Sequence, residues 1–123
     1  MAKYRIAWMP GDGIGQDVME AARIVLDSLR LDAEYPPADI GWDFWCREGD
    51  ALPRRTVNLL KNVDAALFGA ITSKPMKAAA AELAPELQGQ ELSYRSPIFR
   101  MRQLFELYFC RRPCKAYAGM ALN

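Results

Sequence analysis

The chain has 123 residues, of which 51% are hydrophobic and 25% charged. This is the composition of one ordinary globular domain, and it excludes global disorder. Sixteen Lys and Arg against 15 Asp and Glu leave a formal charge of +1, so no overall field holds the chain on nucleic acid or an anionic membrane. No stretch approaches the roughly 20 apolar residues of a membrane span. With only three cysteines and no C-x-x-C arrangement, we expect a reducing, cytoplasmic location.

Hydrophobic periodicity predicts alternating strands and helices over the first 70 residues. The predicted elements are, in chain order, a strand over 4–9, an amphipathic helix over 14–30, a half-exposed strand over 39–46, a helix over 52–60 and a buried strand over 63–68. Because strands alternate with helices, the sequence predicts an α/β fold with layered, parallel strands.

The remainder of the chain is punctuated by proline. Residues 74–91 are rich in alanine but interrupted by Pro75 and Pro85, which predicts at best a short helix flanked by loop, acting as a mobile flap. Pro97 opens a predicted helix over 97–109, and Pro113 closes it. Residues 116–122 are predicted to begin a further strand.

Three glycines, Gly11, Gly13 and Gly15, lie where the first strand passes into the first helix. Amides at such a helix start favour an anion or a nucleotide. Glycines there also allow positive φ and a tight reversal for purely structural reasons. The dinucleotide pattern G-x-G-x-x-G is not met, because Gln16 stands at the position of its third glycine. Both interpretations remain open.

Residues 95–115 contain six Lys and Arg against the single acid Glu106, a local charge of +5. One interpretation is a solvated face in which Arg102 and Glu106 form an i, i+4 pair. A second is a nucleic-acid patch, in which neighbouring aromatic rings stack on bases. A third is that convergent arginines bind a di- or tricarboxylate, whose paired oxygens match the guanidinium fork.

Three segments resemble the isocitrate and isopropylmalate dehydrogenase family. Residues 9–15 are similar to its N-terminal signature, residues 69–75 to its G-P-x-T-T-P stretch, and residues 95–113 to its segment S-x-N-x-x-x-R-x-x-x-D-L-Y-x-x-x-R-P. The resemblance implies a partial isopropylmalate-dehydrogenase-like fold that is not a Rossmann fold. It maps onto the first third of the family enzyme, so residues 1–123 are expected to form a single incomplete domain without a linker.

The resemblance also implies roles for individual substrate-binding residues. Arg102 and Arg112 match the two arginines that clamp the substrate carboxylates, and Ser96 matches the serine that contacts the γ-carboxylate in isocitrate enzymes. Ile98 stands where isocitrate enzymes usually carry asparagine, and it suits an apolar branch such as that of isopropylmalate. The choice of hydroxy acid therefore stays open.

For the cofactor, the resemblance places Thr72 near the nicotinamide and Ile14 near the adenosine end. It implies NAD or NADP, with Mg²⁺ or Mn²⁺, in a homodimer or higher homo-oligomer that oxidatively decarboxylates a small 2-hydroxy acid. The family's proton-transfer and metal-binding residues fall outside the matched region, so no catalytic or metal-binding residue is predicted in this chain, which is expected to be inactive alone.

Two alternatives from other classes are a small α/β anion-binding module and a basic nucleic-acid adaptor. If the chain is instead one part of a larger fold, apolar surface is expected to remain uncovered. We expect Trp8, Trp42 and Phe68 to lie at such a surface, against a partner chain.

Overall fold

A computed structural model describes residues 2–116 and residue 119. At its centre lies a three-stranded sheet formed by β1 (Tyr4–Gly11), β2 (Ala33–Glu34) and β3 (Ala65–Ala70), in the order β2-β1-β3. Both pairings are parallel, and the register places Ile6 opposite Ala65 and Gly11 opposite Ala70. The prediction of an α/β fold with parallel strands is therefore confirmed.

Five α-helices and one short 3-10 turn surround this sheet in the part of the chain that the structure describes. They are α1 (Ile14–Ser28), α2 (Trp42–Glu48), α3 (Arg54–Leu60), α4 (Met76–Ala81), the 3-10 turn (Pro85–Leu87) and α5 (Pro97–Leu104). Among the described residues, no helix has the length and apolar character required to cross a membrane.

The apolar interior consists of two clusters. The first lies on the sheet and contains Ala7, Met9, Ala38, Ile40 and Leu52, with side chains of α3 and α5 packed against it. The second joins α2 to α4 through Trp42, Trp45, Ala51, Ala79 and Leu83. The segment predicted to be a flap thus packs on α2, since Ala79 is fully buried and its carbonyl accepts a 2.8 Å hydrogen bond from Trp45 Nε1.

Glycines let α1 lie very close to the sheet. A Cβ added to Gly15 would meet Pro10 O at 2.1 Å, and one added to Gly69 would meet the same oxygen at 2.4 Å. Real Cβ atoms do not approach an oxygen so closely. Of the two interpretations of the glycine-rich turn, close packing and a tight reversal of the chain therefore explain it.

The predicted strand over 39–46 is wrong, because these residues lead into and form α2. Gly41 adopts φ 119°, and the Asp12 carboxylate accepts hydrogen bonds from Trp42 N–H at 2.6 Å and Asp43 N–H at 3.2 Å. A carboxylate at this position satisfies amides that a helix start otherwise leaves unpaired. Trp42 is consequently only 6% exposed, within this chain, rather than lying at an uncovered surface as predicted.

The last helix, α5, ends at Leu104 instead of continuing to residue 109. Glu106 takes φ 52°, and Leu107 N–H bonds to Arg102 O at 2.9 Å, which closes the helix with a left-handed turn. The i, i+4 ion pair predicted between Arg102 and Glu106 is therefore not formed among the described residues. The strand predicted over 116–122 falls largely outside the described residues.

Candidate functional site

The carboxyl ends of β1 and β3 meet at one edge of the sheet, and Asp12 joins them there. Its side chain is only 8% exposed and accepts three backbone hydrogen bonds, from Trp42 and Asp43 at the start of α2 and from Thr72 N–H at 3.0 Å. Asp12 therefore fixes the loop after β1, the loop after β3 and the start of α2 relative to one another. Sequence reasoning missed this role, although an acidic residue directly after a buried strand was a visible signal.

Ile14 and Thr72, the two residues predicted to meet the cofactor, both lie at this edge and are exposed. The Ile14 side chain is 63% exposed at the first position of α1. Thr72 gives its N–H to Asp12, and its carbonyl accepts a 3.3 Å hydrogen bond from the Tyr94 hydroxyl. The edge thus holds the Thr72 backbone on both sides while leaving its side chain exposed.

Two amides at the start of α1 already make hydrogen bonds within the chain. Gly15 N–H bonds to Asp12 O at 2.9 Å, and Gln16 N–H bonds to Gly13 O at 3.2 Å. A phosphate at this helix start would have to compete with these bonds. The exposed side chains of Ile14 and Thr72 are therefore the groups at this edge that remain open to a nicotinamide cofactor without breaking these two bonds.

The two arginines predicted to clamp the substrate lie near one atom, Cys110 Sγ. Arg102 Nη2 lies 3.9 Å from this sulfur, and the Arg112 guanidinium is close enough to lower the pKa of the thiol. The Arg112 hydrogen bond and positive charge, with a smaller contribution from Arg102, lower the pKa of the Cys110 thiol. Both arginines and the cysteine are exposed. The guanidinium groups thus share a small, positively charged region of surface.

The other two predicted substrate residues lie at the start of α5. Ser96 is the N-cap residue, but its hydroxyl makes no capping hydrogen bond; both Ser96 and Ile98 are half-buried. Two residues earlier, the Tyr94 hydroxyl contacts Ser73 Oγ at 3.1 Å. This contact ties the segment leading into α5 to the loop that follows β3.

The structure thus groups the predicted residues in two pairs: Ile14 and Thr72 lie at the same edge of the sheet, and Arg102 and Arg112 lie near Cys110. Met101, next to Arg102, borders a groove with residues at the start of β3, which is the opposite end of that strand from Thr72. No hydrogen bond or ion pair joins the two pairs within the described residues.

A cavity of ≈ 450 Å³ that the sequence did not reveal lies between α2 and the segment before α5. Its charged lining residues are Glu48, Asp50, Arg95 and Arg100. Arg100 is paired with Asp50, while Glu48 lies 2.7 Å from Arg55. The lining carries two carboxylates and two guanidinium groups, so the cavity does not present a net charge for a ligand.

The donor set for a divalent metal is not assembled by the described residues, which contain no group of three or more His, Cys, Asp or Glu side chains able to hold an ion. Mg²⁺ and Mn²⁺ are bound through several oxygen ligands. The residues present therefore do not fit such a metal, and no chemical step is assigned to one here.

Comparison with known proteins accounts for this combination of fold and motifs. The family model for isocitrate/isopropylmalate dehydrogenase matches residues 5–123. The chain is 44% identical over 110 residues to protein DlpA of Legionella pneumophila, covering 89% of this chain and 18% of that protein. It is 38% identical to 3-isopropylmalate dehydrogenase of Methanothermobacter thermautotrophicus, covering 98% of this chain and 31% of the relative.

A solved structure agrees with these relatives. The apo β-decarboxylating dehydrogenase of Thermococcus kodakarensis superposes with a TM-score of 0.58 at 30% identity, covering 85% of this chain and 27% of that one. The fold and its motifs define a dehydrogenase-type α/β protein. The chain belongs to the isocitrate/isopropylmalate dehydrogenase family, as the sequence resemblance predicted. It spans about a third or less of the length of these relatives.

Proposed function

We propose that this chain supplies the carboxylate-binding residues of an enzyme that oxidatively decarboxylates a small 2-hydroxy acid with NAD or NADP. The observation that carries the proposal is that Arg102 and Arg112 both lie near Cys110, Arg102 at 3.9 Å from Sγ and Arg112 close enough to lower the pKa of the thiol. Two guanidinium groups beside one thiol are close enough to share one di- or tricarboxylate, and charge-assisted, paired hydrogen bonds are the strongest that such groups make.

In this proposal Ser96 and Ile98 distinguish between substrates. The Ser96 hydroxyl, free of a capping bond, donates to a γ-carboxylate, whereas the half-buried Ile98 packs on an apolar branch. Relatives named 3-isopropylmalate dehydrogenase and isocitrate/homoisocitrate dehydrogenase support this substrate class. Ser96 favours isocitrate and Ile98 favours 3-isopropylmalate, so measured binding of the two acids must decide which one is the substrate.

For the cofactor, we propose that Thr72 lies beside the nicotinamide and Ile14 beside the adenosine end. When bound, NAD or NADP supplies the acceptor for the hydride that leaves C2 of the hydroxy acid. The chain's own residues bind and orient the carboxylates, and we assign none of them a proton transfer. General acid–base catalysis contributes ~10²- to 10⁴-fold, so these residues alone are expected to give no turnover; the active assembly is proposed to be a cytoplasmic homo-oligomer.

Isothermal titration calorimetry tests the carboxylate site. Isocitrate, 3-isopropylmalate, homoisocitrate and tartrate are titrated into the wild type and into Arg102→Leu and Arg112→Leu, with Arg54→Leu as the control, because Arg54 is exposed on another helix. Each of the first two substitutions is expected to weaken binding about 10-fold or more, since a hydrogen bond to a charged group contributes ~1.5–3 kcal/mol. Ile98→Asn is expected to shift preference from isopropylmalate towards isocitrate.

A short single-stranded oligonucleotide provides the opposing arm of the experiment. If the chain binds it tightly and in a salt-sensitive manner, but binds none of the acids, the basic segment is a nucleic-acid surface and the dehydrogenase interpretation of its arginines is wrong.

A further inference from the structure

The cavity between α2 and the segment before α5 contains none of the predicted substrate or cofactor residues. Its volume of ≈ 450 Å³ lies within the range of about 300–1,000 Å³ that small-molecule sites occupy. It is lined by two carboxylates, two guanidinium groups and the hydroxyl of Ser93, beside the apolar side chains of Trp45 and Leu92. The ligand that such a lining can bind depends on which of its polar groups are already paired within the chain.

Of the two acids in this lining, Asp50 retains an acceptor for a ligand. Both oxygens of Glu48 accept hydrogen bonds from the Arg55 guanidinium, at 2.7 and 2.8 Å. Asp50 Oδ1 accepts from the Arg100 guanidinium and from Leu52 N–H. Asp50 Oδ2, in contrast, accepts no hydrogen bond from the residues that the structure describes. Because an ionised carboxylate is an acceptor on both oxygens, Oδ2 can accept from a cation or a hydroxyl group of a ligand.

Both arginines of the lining retain donors. Within the described part of the chain, the Arg95 guanidinium forms no ion pair, and its hydrogen bond is to the neutral Gln103 side chain at 3.3 Å. Arg100 uses Nη1 on Asp50, while its Nη2 and Nε donate to none of the described residues. Guanidinium donors of this kind pair with a carboxylate through charge-assisted, often bidentate hydrogen bonds.

The available acceptor and the available donors are adjacent. Because Arg100 Nη1 bonds directly to Asp50 Oδ1, the second oxygen of that carboxylate lies beside the same guanidinium group. A complementary ligand therefore carries a carboxylate and a cation on neighbouring atoms. An α-amino acid has this arrangement, since its ammonium and carboxylate groups are joined to the same carbon. It also brings no net charge into a lining that has none, which avoids the cost of enclosing an unbalanced charge.

We infer that this cavity is a binding site for a free α-amino acid, whose carboxylate pairs with Arg95 and Arg100 and whose ammonium donates to Asp50 Oδ2. The amino-acid side chain lies against Leu92 and Trp45, the apolar part of the lining. An unbranched, flexible side chain such as that of methionine suits an irregular apolar surface, and its sulfur makes favourable contacts with aromatic rings. The inference does not rest on the proposed binding of a hydroxy acid.

This amino-acid site is separate from the arginine pair near Cys110, although α5 contributes to both. Arg100 and Arg102 are two residues apart on this helix, and at 100° per residue their side chains leave it on nearly opposite sides. Arg100 accordingly bonds to Asp50, while Arg102 lies near Cys110. Substitutions at Arg95 and Asp50 therefore test the cavity without altering the residues proposed to bind a hydroxy acid.

Titration of the full chain with L-methionine, followed by amide NMR, tests the inference. The expected result is a Kd on the order of 1 mM, with chemical-shift changes at residues 45–51 and 92–100. L-Methioninamide lacks the carboxylate and the 2-hydroxy analogue of methionine lacks the ammonium, and each is expected to bind about 10-fold more weakly or worse. Arg95→Leu is expected to weaken methionine binding by a similar factor, because it removes a charged hydrogen-bond donor.

Asp50→Asn keeps the shape of the side chain but removes its charge, so it should abolish the preference for methionine over the hydroxy analogue, which a general loss of structure would not do. Arg54→Leu and Asp43→Asn are the matched controls, because both residues are exposed and lie outside the cavity lining. Circular dichroism confirms that each variant is folded. The inference is overturned if ~10 mM methionine shifts none of the cavity residues, if either analogue binds as tightly as methionine, or if Arg95→Leu binds methionine as tightly as the controls. Displacement of methionine by isocitrate would also overturn it, by assigning the cavity to the hydroxy acid.

Discussion

The sheet edge around Asp12 and the segment that follows α5 both lie where a regular element ends, but the chain is held in opposite ways in the two places. At the edge, one buried carboxylate pairs with three backbone amides from two distant loops. After α5, the chain turns at Glu106 and leaves Leu107, Tyr108 and Phe109 56%, 96% and 79% exposed. The first region is fixed by contacts within the chain, whereas the second holds its arginines around one cysteine at the surface.

Substitution of Asp12 is expected to have the largest effect. Asp12→Ala leaves three amides at the sheet edge without their acceptor, two of them at the start of α2. Because bonds to a charged group contribute ~1.5–3 kcal/mol each and are not additive, we expect a loss of about 3–5 kcal/mol in the free energy of unfolding. Urea denaturation measures it, with Asp17→Ala, an exposed acid in α1, expected to change stability by under ~1 kcal/mol. Equal midpoints for the two variants would contradict the role assigned to Asp12.

Gly15→Ala tests the close approach of α1, and here the sign of the change is decisive. Helix propensity alone predicts that alanine stabilises the helix by ~1 kcal/mol. A Cβ at this position would instead lie 2.1 Å from Pro10 O and 2.8 Å from Ala70 O, so we expect a net loss of about 2 kcal/mol. The measurement is again the urea midpoint, and any stabilisation would show that the helix can move away from the sheet without loss.

The difference between these regions also explains what the sequence could predict. The elements β1, α1, α3 and β3 were predicted to within a few residues, because local hydrophobic periodicity determines them. The helix α2 was mistaken for a strand because its capping carboxylate, Asp12, is 30 residues away in sequence. The early end of α5 depends on the left-handed backbone conformation of Glu106, which no local sequence pattern predicts. In the candidate site, motif resemblance alone suggested that Arg102 and Arg112 act together; their substrate role stays a prediction.

A smaller effect is expected at Glu82, which joins α2 to the segment after α4. The Lys74 ammonium, at 2.6 Å, and then the Trp42 indole N–H, at 2.7 Å, lower the pKa of Glu82 below its ordinary value of 4.5. The carboxylate therefore stabilises the fold above pH ~4.5, and this contribution is lost as the pH falls through the folded-state pKa. Glu82→Gln should lower the urea midpoint at neutral pH, and by progressively less as the pH falls below ~4.5, while Glu86→Gln has no effect at either pH. If the urea midpoints of the wild type and Glu82→Gln differed as much in acid as at neutral pH, the ion-pair explanation would be contradicted.

The smallest expected effect concerns the chemical reactivity of two cysteines, Cys46 and Cys110. Burial, with Glu82 nearby, raises the pKa of the Cys46 thiol, whereas the Arg112 hydrogen bond lowers that of the exposed Cys110. Since the thiolate is the nucleophile, we expect iodoacetamide at pH ~7.5 to alkylate Cys110 about 10-fold faster than Cys46, measured by peptide mass spectrometry. Arg112→Leu should slow Cys110 alone, and a bound hydroxy acid should protect it in proportion to its calorimetric affinity. If neither Arg112→Leu nor a bound hydroxy acid changes the rate at which Cys110 is alkylated, the guanidinium groups do not act together at this sulfur.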